Sequence, residues 1–190
     1  MIVLLTDFGA SEYVGVMKGV ILGLAPGAEI IDLCHSISAQ SVIEGAWVLK
    51  NSYKYFPKGA IFCCVVDPGV GTERRAIAVK TKEYYFVGPD NGLLWEAVAG
   101  QKVLEIRELS IPADASPSSP IGYAAASRTF HGRDVFAKAA EQIERGLFVK
   151  LGKIIKDMRI LEICKKGREG TVVRVDVFGN VVTNLVLCKD

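Results

Sequence analysis

The order of apolar segments in the first third of the chain constrains the fold more than any other feature. Three short apolar runs, typical of buried strands, alternate with two stretches whose apolar residues recur about every 3.6 residues, as in helices. The strands are predicted at residues 2–5, 29–33 and 60–66, and the helices at 11–24 and 41–56. This order predicts right-handed βαβ units and an α/β fold, with a mostly parallel sheet flanked by helices.

The remainder of the chain divides into three parts by composition. The α/β domain is completed by two strands, a short helix, a Ser-, Pro- and Ala-rich loop and a longer helix. Asp90 or Asn91 would cap the short helix. These elements are predicted at residues 76–79, 84–87, 93–98, 110–123 and 133–145. A β-branched segment interrupted by Phe178-Gly179-Asn180 then predicts a hairpin. We therefore expect an α/β domain over residues 1–150, a connector over 151–168 and the start of an all-β domain over 169–190.

Charge and hydropathy exclude several classes of function. A net charge of +2 on 190 residues, with no basic run that includes aromatic residues, is too small to predict binding to nucleic acid or to an anionic membrane. The longest apolar stretch, residues 14–25, contains Lys18 and is too short to span a bilayer. No charged leader or cleavage site precedes the first strand, so we expect a cytoplasmic protein.

The five cysteines do not form a recognisable ligand pattern. No Cys-x-x-Cys pair occurs, the count is odd, and most of the cysteines fall in strand-like segments. This pattern favours reduced thiols in the core over a disulfide framework or a zinc site.

Two acidic residues directly follow predicted strands, where open α/β sheets place their sites. Asp67 ends an apolar run and is followed by Pro68 and Gly69, with Arg74 and Arg75 shortly after. A β-turn with a solvated charge is the simpler interpretation of such a stretch. Asp7 follows the first strand, where it would accept hydrogen bonds from ribose hydroxyls or cap the next helix.

The two histidines have different sequence contexts. His131 precedes Gly132-Arg133-Asp134 at a predicted helix start, where the helix dipole lowers the pKa of an imidazole. Its alternative role is capping or packing. His35 lies in a predicted loop and is expected to be an ordinary surface residue. No dinucleotide fingerprint, P-loop or nucleophile elbow occurs in the sequence.

Five polar stretches occur in an order that resembles a known enzyme family. They are Thr6-Asp7-Phe8-Gly9, Val66-Asp67-Pro68-Gly69-Val70-Gly71, Pro89-Asp90-Asn91-Gly92-Leu93-Leu94, Thr129-Phe130-His131-Gly132-Arg133-Asp134 and Asp176-Val177-Phe178-Gly179-Asn180-Val181-Val182-Thr183-Asn184. In this order they resemble the S-adenosylmethionine hydrolases (adenosine-forming), also called SAM hydroxide adenosyltransferases, which are related to fluorinase and chlorinase. The resemblance extends from residue 1 to about residue 187.

The resemblance implies an architecture and a reaction. The architecture is an α/β N-terminal domain, a small β-barrel C-terminal domain and a homotrimer with active sites between subunits. The reaction is the hydrolysis of S-adenosylmethionine to adenosine and methionine, without a cofactor or a metal. Family members usually continue for several tens of residues past this C-terminus, so the barrel domain is expected to be incomplete.

The resemblance also implies roles for particular residues. Asp67, Arg74 and His131 would activate water, with Arg75 as an alternative to Arg74. Asp7 would bind the ribose hydroxyls, with Gln40 close to the ribose. Asp176 would bind the methionine amino group, and Phe178 and Asn180 would contact the adenine. In the reaction that the resemblance implies, Phe8 and Phe130 are expected to form apolar walls that exclude bulk water.

Three other functions compete with hydrolysis. Halide transfer to the same ribose carbon is disfavoured, because a carboxylate at Asp67 would repel the halide. A non-catalytic protein that binds adenosine or S-adenosylmethionine would show affinity without turnover. A metal-dependent hydrolase would use Asp7, Asp67, Asp90 and His131 as ligands and would be inhibited by a chelator.

Overall fold

A seven-stranded sheet forms the centre of the protein. The computed structural model describes residues 1–110, 127, 129–163, 166 and 169–185. The sheet has the order β2-β1-β3-β5-β4-β6-β7. Its strands are β1 (Ile2–Thr6), β2 (Ile30–Cys34), β3 (Ile61–Val65), β4 (Ala76–Thr81), β5 (Tyr85–Pro89), β6 (Val103–Glu108) and β7 (Lys153–Ile155).

The strand directions confirm the predicted fold class. β2, β1, β3 and β5 are neighbours and run parallel. β4 runs antiparallel to both β5 and β6, and β7 runs antiparallel to β6. The sheet is therefore mostly parallel, and the carboxyl ends of β1 and β3 lie side by side.

Strands β6 and β7 were not predicted from the sequence. Val103 and Leu104 at the start of β6 are exposed, and Glu105, Arg107 and Glu108 follow them. β7 has three residues and lies at the edge of the sheet. In β6 apolar and charged residues alternate only over residues 104–107, and β7 is too short to show a period, so both strands give a weak signal.

Helices cover both faces of the sheet. They are α1 (Tyr13–Leu24), α2 (Val42–Ser52), α3 (Trp95–Val98) and α4 (Ala137–Glu144). α1 and α4 pack with Ile2 and Leu4 of β1 on one face, whereas α2 and α3 pack with Val3 and Leu5 on the other. The alternation along β1 follows the two-residue period of a strand and gives the protein two apolar cores.

The helix predicted at 133–145 is confirmed, although its first residues, Gly132–Phe136, form a turn of π-helix that continues into α4. The predicted cap of the short helix was wrong. Neither Asp90 nor Asn91 caps α3, which begins after Leu94 without a side-chain cap. Asn91 accepts a hydrogen bond from the Leu93 amide instead. The loop predicted at 110–123 lies outside the described residues except for Ser110.

A two-stranded antiparallel sheet follows the connector. β8 (Val172–Val175) and β9 (Val181–Thr183) flank the turn at 176–180, which confirms the hairpin. Arg174 Nε lies 3.7 Å from Oε1 of the buried Glu44 on α2, so the hairpin rests against this helix. That this hairpin is the start of a β-barrel domain remains a prediction.

The described residues contain no helix long and apolar enough to cross a membrane. Cys34, Cys63 and Cys64 are free thiols, and burial raises the pKa of Cys63 to about 12. Cys164 and Cys188 lie outside the described residues.

Candidate active site

A cavity of about 360 Å³ opens at the carboxyl ends of β1 and β3. Asp7 directly follows β1, and Asp67 follows β3. Because these strands pair in parallel, both carboxylates line the same cavity. The lining residues are Asp7, Phe8, Ser11, Tyr13, Ala39, Gln40, Val65, Asp67, Val70, Thr129, His131 and Gly132. This is the edge at which open α/β sheets bind ligands.

Asp67 forms a buried ion pair with Arg74. Arg74 Nε donates to both carboxylate oxygens of Asp67, at 2.9 and 3.0 Å, and Nη2 donates to Oδ2. The side chains of Asp67 and Arg74 are 6% and 9% exposed. Such charge-assisted contacts fix the plane of the carboxylate. Asp67 does begin a turn, as predicted, but the prediction that its charge is solvated was wrong.

The turn between these two residues explains how neighbours in sequence form this pair. The Val70 amide donates to the Asp67 carbonyl, and the Thr72 amide donates to the Gly69 carbonyl. Gly71 has a φ of 78°, a conformation that glycine adopts without a Cβ clash. The chain thus folds back so that Arg74 reaches the carboxylate of Asp67.

Arg75 points to different partners. Its Nε donates to Asp90 Oδ2 at 2.7 Å, and its Nη1 donates to Asp157 Oδ1 at 2.9 Å. These contacts attach the connector to the sheet. The geometry therefore distinguishes two arginines that the sequence left as alternatives, and it pairs Arg74 with Asp67.

His131 is the third member of the cluster. Its side chain is largely buried, and Arg74 Nη2 donates to its Nδ1 at 2.8 Å. Burial, followed by the positive charge of Arg74, lowers the pKa of His131 below its ordinary value of 6.5. Because an arginine has no acceptor, Nδ1 must accept, which leaves a neutral ring with its proton on Nε2.

Asp7 is oriented by the backbone of a neighbouring loop. The Gln40 amide donates to Asp7 Oδ2 at 2.8 Å. Gln40 has a φ of 62°, a left-handed conformation that costs energy for a residue with a Cβ. The unfavourable backbone conformation therefore occurs at Gln40, the residue whose amide orients the Asp7 carboxylate.

The two predicted apolar walls occupy different positions. Phe8 lines the cavity beside Asp67 and also a larger, mostly apolar cavity of about 540 Å³. Phe130 lines only the larger cavity, where it forms an edge contact with Tyr13, with ring centres 5.6 Å apart. A Cβ on Gly132 would lie 3.3 Å from the Phe8 ring, so glycine permits this close packing.

The hairpin residues do not line the cavity of about 360 Å³. Asp176 Oδ1 accepts from the amides of Phe178 and Asn180, and Oδ2 accepts from Asn180 Nδ2 at 2.7 Å. These hydrogen bonds, with the Asn180 side chain as the largest cause, lower the pKa of Asp176. The Phe178 side chain is 86% exposed. Within one chain, the structure does not bring Asp176, Phe178 and Asn180 to Asp67.

Sequence reasoning missed several residues near the cavity. Ser11, Tyr13 and Thr129 line it. The available signal was that Ser11 and Tyr13 closely follow the first polar stretch and that Thr129 begins the fourth. The prediction of a surface His35 was wrong, because its side chain is 16% exposed and its ring contacts Thr6 and Asp32.

The four proposed metal ligands do not form one site, because Asp90 lies apart from the other three. Asp90 pairs with Arg75 and accepts from the Arg159 amide, and it does not line the cavity of Asp7 and Asp67. Over the described part of the chain, no group of three His, Cys, Asp or Glu side chains is placed to share a metal ion.

Comparison with known proteins places this geometry in a family. The model of the SAM hydroxide adenosyltransferase N-terminal domain matches residues 2–152. An (R)-S-adenosyl-L-methionine hydrolase of Thermus thermophilus is 38% identical over 187 residues, which cover 96% of this chain and 73% of that protein. A fluorinase of Nocardia brasiliensis is more distant, at 27% identity, with 97% of this chain and 71% of that protein covered.

A solved structure agrees with the sequence comparisons. The crystal structure of an uncharacterized conserved protein from Thermotoga maritima has a TM-score of 0.84 and 42% identity to this chain. The match covers 97% of this chain and 72% of the Thermotoga chain. The family model, the identities and the shared fold agree: this chain belongs to the SAM hydroxide adenosyltransferase family.

Proposed function

We propose that this protein hydrolyses S-adenosyl-L-methionine to adenosine and L-methionine. The observation that carries the proposal is the buried Asp67–Arg74–His131 cluster at a cavity that Asp7 also lines. The relatives named as S-adenosyl-L-methionine hydrolases support the same reaction.

Activation of water is the difficult step, because the pKa of bulk water is about 15.7. In the proposed reaction the water oxygen bonds to ribose C5′ as the C5′–S bond breaks. The electron pair of that bond passes to sulfur, so the positive sulfonium leaves as the neutral thioether of methionine. The water proton passes to the Asp67 carboxylate, which acts as the general base, and then to solvent.

Arg74 and His131 prepare this base. Arg74 fixes the orientation of the Asp67 carboxylate through its paired donors, leaving a remaining lone pair to accept from water. The neutral His131 ring offers its Nε2–H as a donor to the water oxygen. Positioning of the water in line with the C–S bond would add a proximity contribution.

Asp7 is proposed to accept hydrogen bonds from the ribose hydroxyls. Its Oδ2 is oriented by the Gln40 amide, and Gln40 lines the same cavity. The rings of Phe8 and Phe130 would keep bulk water from the reacting carbon. This arrangement assigns binding to the β1 end of the cavity and chemistry to the β3 end.

The hairpin residues are proposed to complete the site in a second copy of the chain. Asp176 would bind the methionine amino group, while Phe178 and Asn180 would contact adenine in a homotrimer. The exposure of Phe178 and its absence from the lining of the cavity in its own chain support this arrangement. We further propose that the enzyme works in the cytoplasm and needs no cofactor.

Product analysis in isotopically labelled water tests the proposal. The purified protein is incubated with S-adenosyl-L-methionine in H₂¹⁸O. The products are then separated, and their masses are measured by mass spectrometry. Attack at C5′ predicts ¹⁸O in the 5′-hydroxyl of adenosine and none in methionine, with no effect of a chelator. Binding without adenosine release would instead support the nucleoside-binding function, and a 5′-halogenated product formed in added halide would support halide transfer.

A further inference from the structure

The His35 ring links three elements beside the candidate site. Its Nδ1 lies 2.9 Å from Thr6 Oγ1, and its Nε2 lies 2.9 Å from Asp32 Oδ1. Asp32 Oδ2 accepts in turn from Lys18 Nζ of α1, at 2.6 Å. The result is a continuous polar chain from α1 through β2 to the last residue of β1.

At one end of this series of polar contacts, Thr6 holds the turn that contains Asp7. The Thr6 hydroxyl is fully buried and accepts from the Phe8 amide at 3.2 Å. The Gly9 amide donates to the His35 carbonyl at 2.7 Å. His35 therefore fixes the backbone after Asp7 in two ways, through its side chain and through its own carbonyl.

A shift in strand register lies just before His35. Leu4 of β1 pairs with Asp32, but Leu5 pairs with Cys34, so the register shifts by one residue. In a regular strand, positions 32 and 35 would face opposite sides of the sheet. Here His35 follows the end of β2, and its ring contacts the Asp32 carboxylate. Register irregularities such as β-bulges re-aim side chains and are frequent beside active sites.

We infer that His35 is a positioning residue for nucleoside binding, and this inference rests on the proposed function. The Asp32–His35–Thr6 chain holds the turn that aims Asp7 and Phe8 into the cavity. Although an Asp–His–Thr series resembles a nucleophile relay, Thr6 is buried and does not line the cavity. Its role is to transmit orientation from His35 to the turn.

Two substitutions of His35 separate its contacts. The short side chain of asparagine places its amide at the position of Nδ1, so His35→Asn keeps the contact with Thr6. The amide of His35→Gln reaches the position of Nε2 and keeps the contact with Asp32. Lys18→Met is the matched control, because it removes a partner of Asp32 without touching the bond between His35 and Thr6.

Calorimetric binding of adenosine and steady-state kinetics then distinguish the variants. His35→Gln should weaken adenosine binding and raise KM by about 2- to 12-fold, the loss expected for one hydrogen bond, with kcat nearly unchanged. His35→Asn, which loses the contact with Asp32 but keeps the contact with Thr6, should weaken binding less than His35→Gln. Lys18→Met should remain close to wild type. Equal effects of His35→Gln and His35→Asn, or an unchanged KM in His35→Gln, would overturn the inference.

A double-mutant cycle tests whether His35 acts through Asp7. In an Asp7→Asn background, His35→Gln should cause little further loss of adenosine affinity, because the carboxylate that it orients is already removed. Fully additive losses would show that His35 acts on general stability instead.

Hydrogen exchange separates failure of this inference from failure of the proposed function. Without any ligand, His35→Gln should speed exchange at the Phe8 amide, and Lys18→Met should not. If the wild type neither binds adenosine nor releases it, the proposed function fails, while this exchange pattern still supports the role of His35 at the turn. Unchanged exchange in His35→Gln would overturn that role.

Discussion

The two regions that contain the predicted site residues are built in opposite ways. The sheet-edge site comprises Asp7, Asp67, Arg74 and His131, and its Arg74–His131 bond joins residues 57 positions apart. The hairpin turn, residues 176–180, satisfies its polar groups with partners at most four positions away. The sheet-edge pair Asp67–Arg74 is buried, whereas Phe178 of the hairpin turn is almost fully exposed.

This difference shows how each region acquires a function. Charged groups in a buried cluster interact strongly, because little water screens them and each needs its partner. The sheet-edge site is therefore preorganised by the fold. The hairpin turn satisfies its polar groups locally and exposes the apolar side chain of Phe178 to solvent. In the proposed function it would therefore need a second surface to contribute to a site.

The largest expected effect is loss of the base in the sheet-edge site. Asp67→Asn keeps the shape of the side chain but removes the carboxylate, and should slow turnover by about 10²- to 10⁴-fold. Affinity for S-adenosylmethionine should change little, because in the proposed reaction Asp67 contacts the attacking water and not the ribose or the methionine. Single-turnover release of adenosine, with calorimetric affinity, measures both. Wild-type turnover in this variant would leave Asp67 with a structural role only.

The two adjacent arginines provide a matched pair for the next effect. Arg74→Ala removes charged hydrogen bonds to Asp67 and should slow turnover by about 10- to 150-fold. Arg75→Ala should slow it far less, because Arg75 contacts Asp90 and Asp157 outside the cavity. In an Asp67→Asn background, Arg74→Ala should add little, since the residues act as a unit. Equal slowing by the two alanine variants would contradict this assignment.

The pKa of His131 should report the same coupling. Because the charge of Arg74 is the second cause that lowers this pKa, Arg74→Ala should raise it toward 6.5, as measured by an NMR titration of the ring. An unchanged pKa would mean that burial alone accounts for the shift.

The pH dependence of stability follows from the same shift. Between the lowered pKa of His131 and 6.5, the folded state binds fewer protons than the unfolded state, so stability rises with pH. The contribution of His131 is complete above about 6.5 and is lost as the pH falls through its lowered pKa. Denaturant unfolding of wild type and His131→Asn at several pH values should show a smaller pH dependence in the variant.

The smallest expected effect on folding is in the hairpin turn. Phe178→Ser should change the free energy of unfolding by less than about 0.5 kcal/mol, because the side chain is already exposed. Adenosine affinity should fall only at protein concentrations at which light scattering shows association. Val177→Ser, equally exposed, is the control for general surface effects. An affinity loss in a strictly monomeric sample would contradict the site between copies.

Much of the fold could be predicted because its signals are local. Apolar runs such as residues 2–5 and 60–66 were recognisable as strands, and the break at Phe178-Gly179-Asn180 was recognisable as a hairpin. β6 was not predicted because its start is exposed and charged residues follow. The turn of π-helix after His131 was not predicted because an α-helix with the same apolar spacing was the simpler interpretation.

The sequence by itself determined the α/β class, the ends of β1 and β3 as candidate site positions, and the family resemblance, because strand period, turn residues and motif order are local properties. Only the tertiary structure decided that Arg74, and not Arg75, pairs with Asp67, since two adjacent arginines differ only in the direction that the turn gives them. It also decided that the His35 ring contacts Thr6, next to Asp7, because the pairing of β1 with β2 cannot be read from either strand alone. Long-range contacts depend on how elements pack, and packing is a property of the whole core.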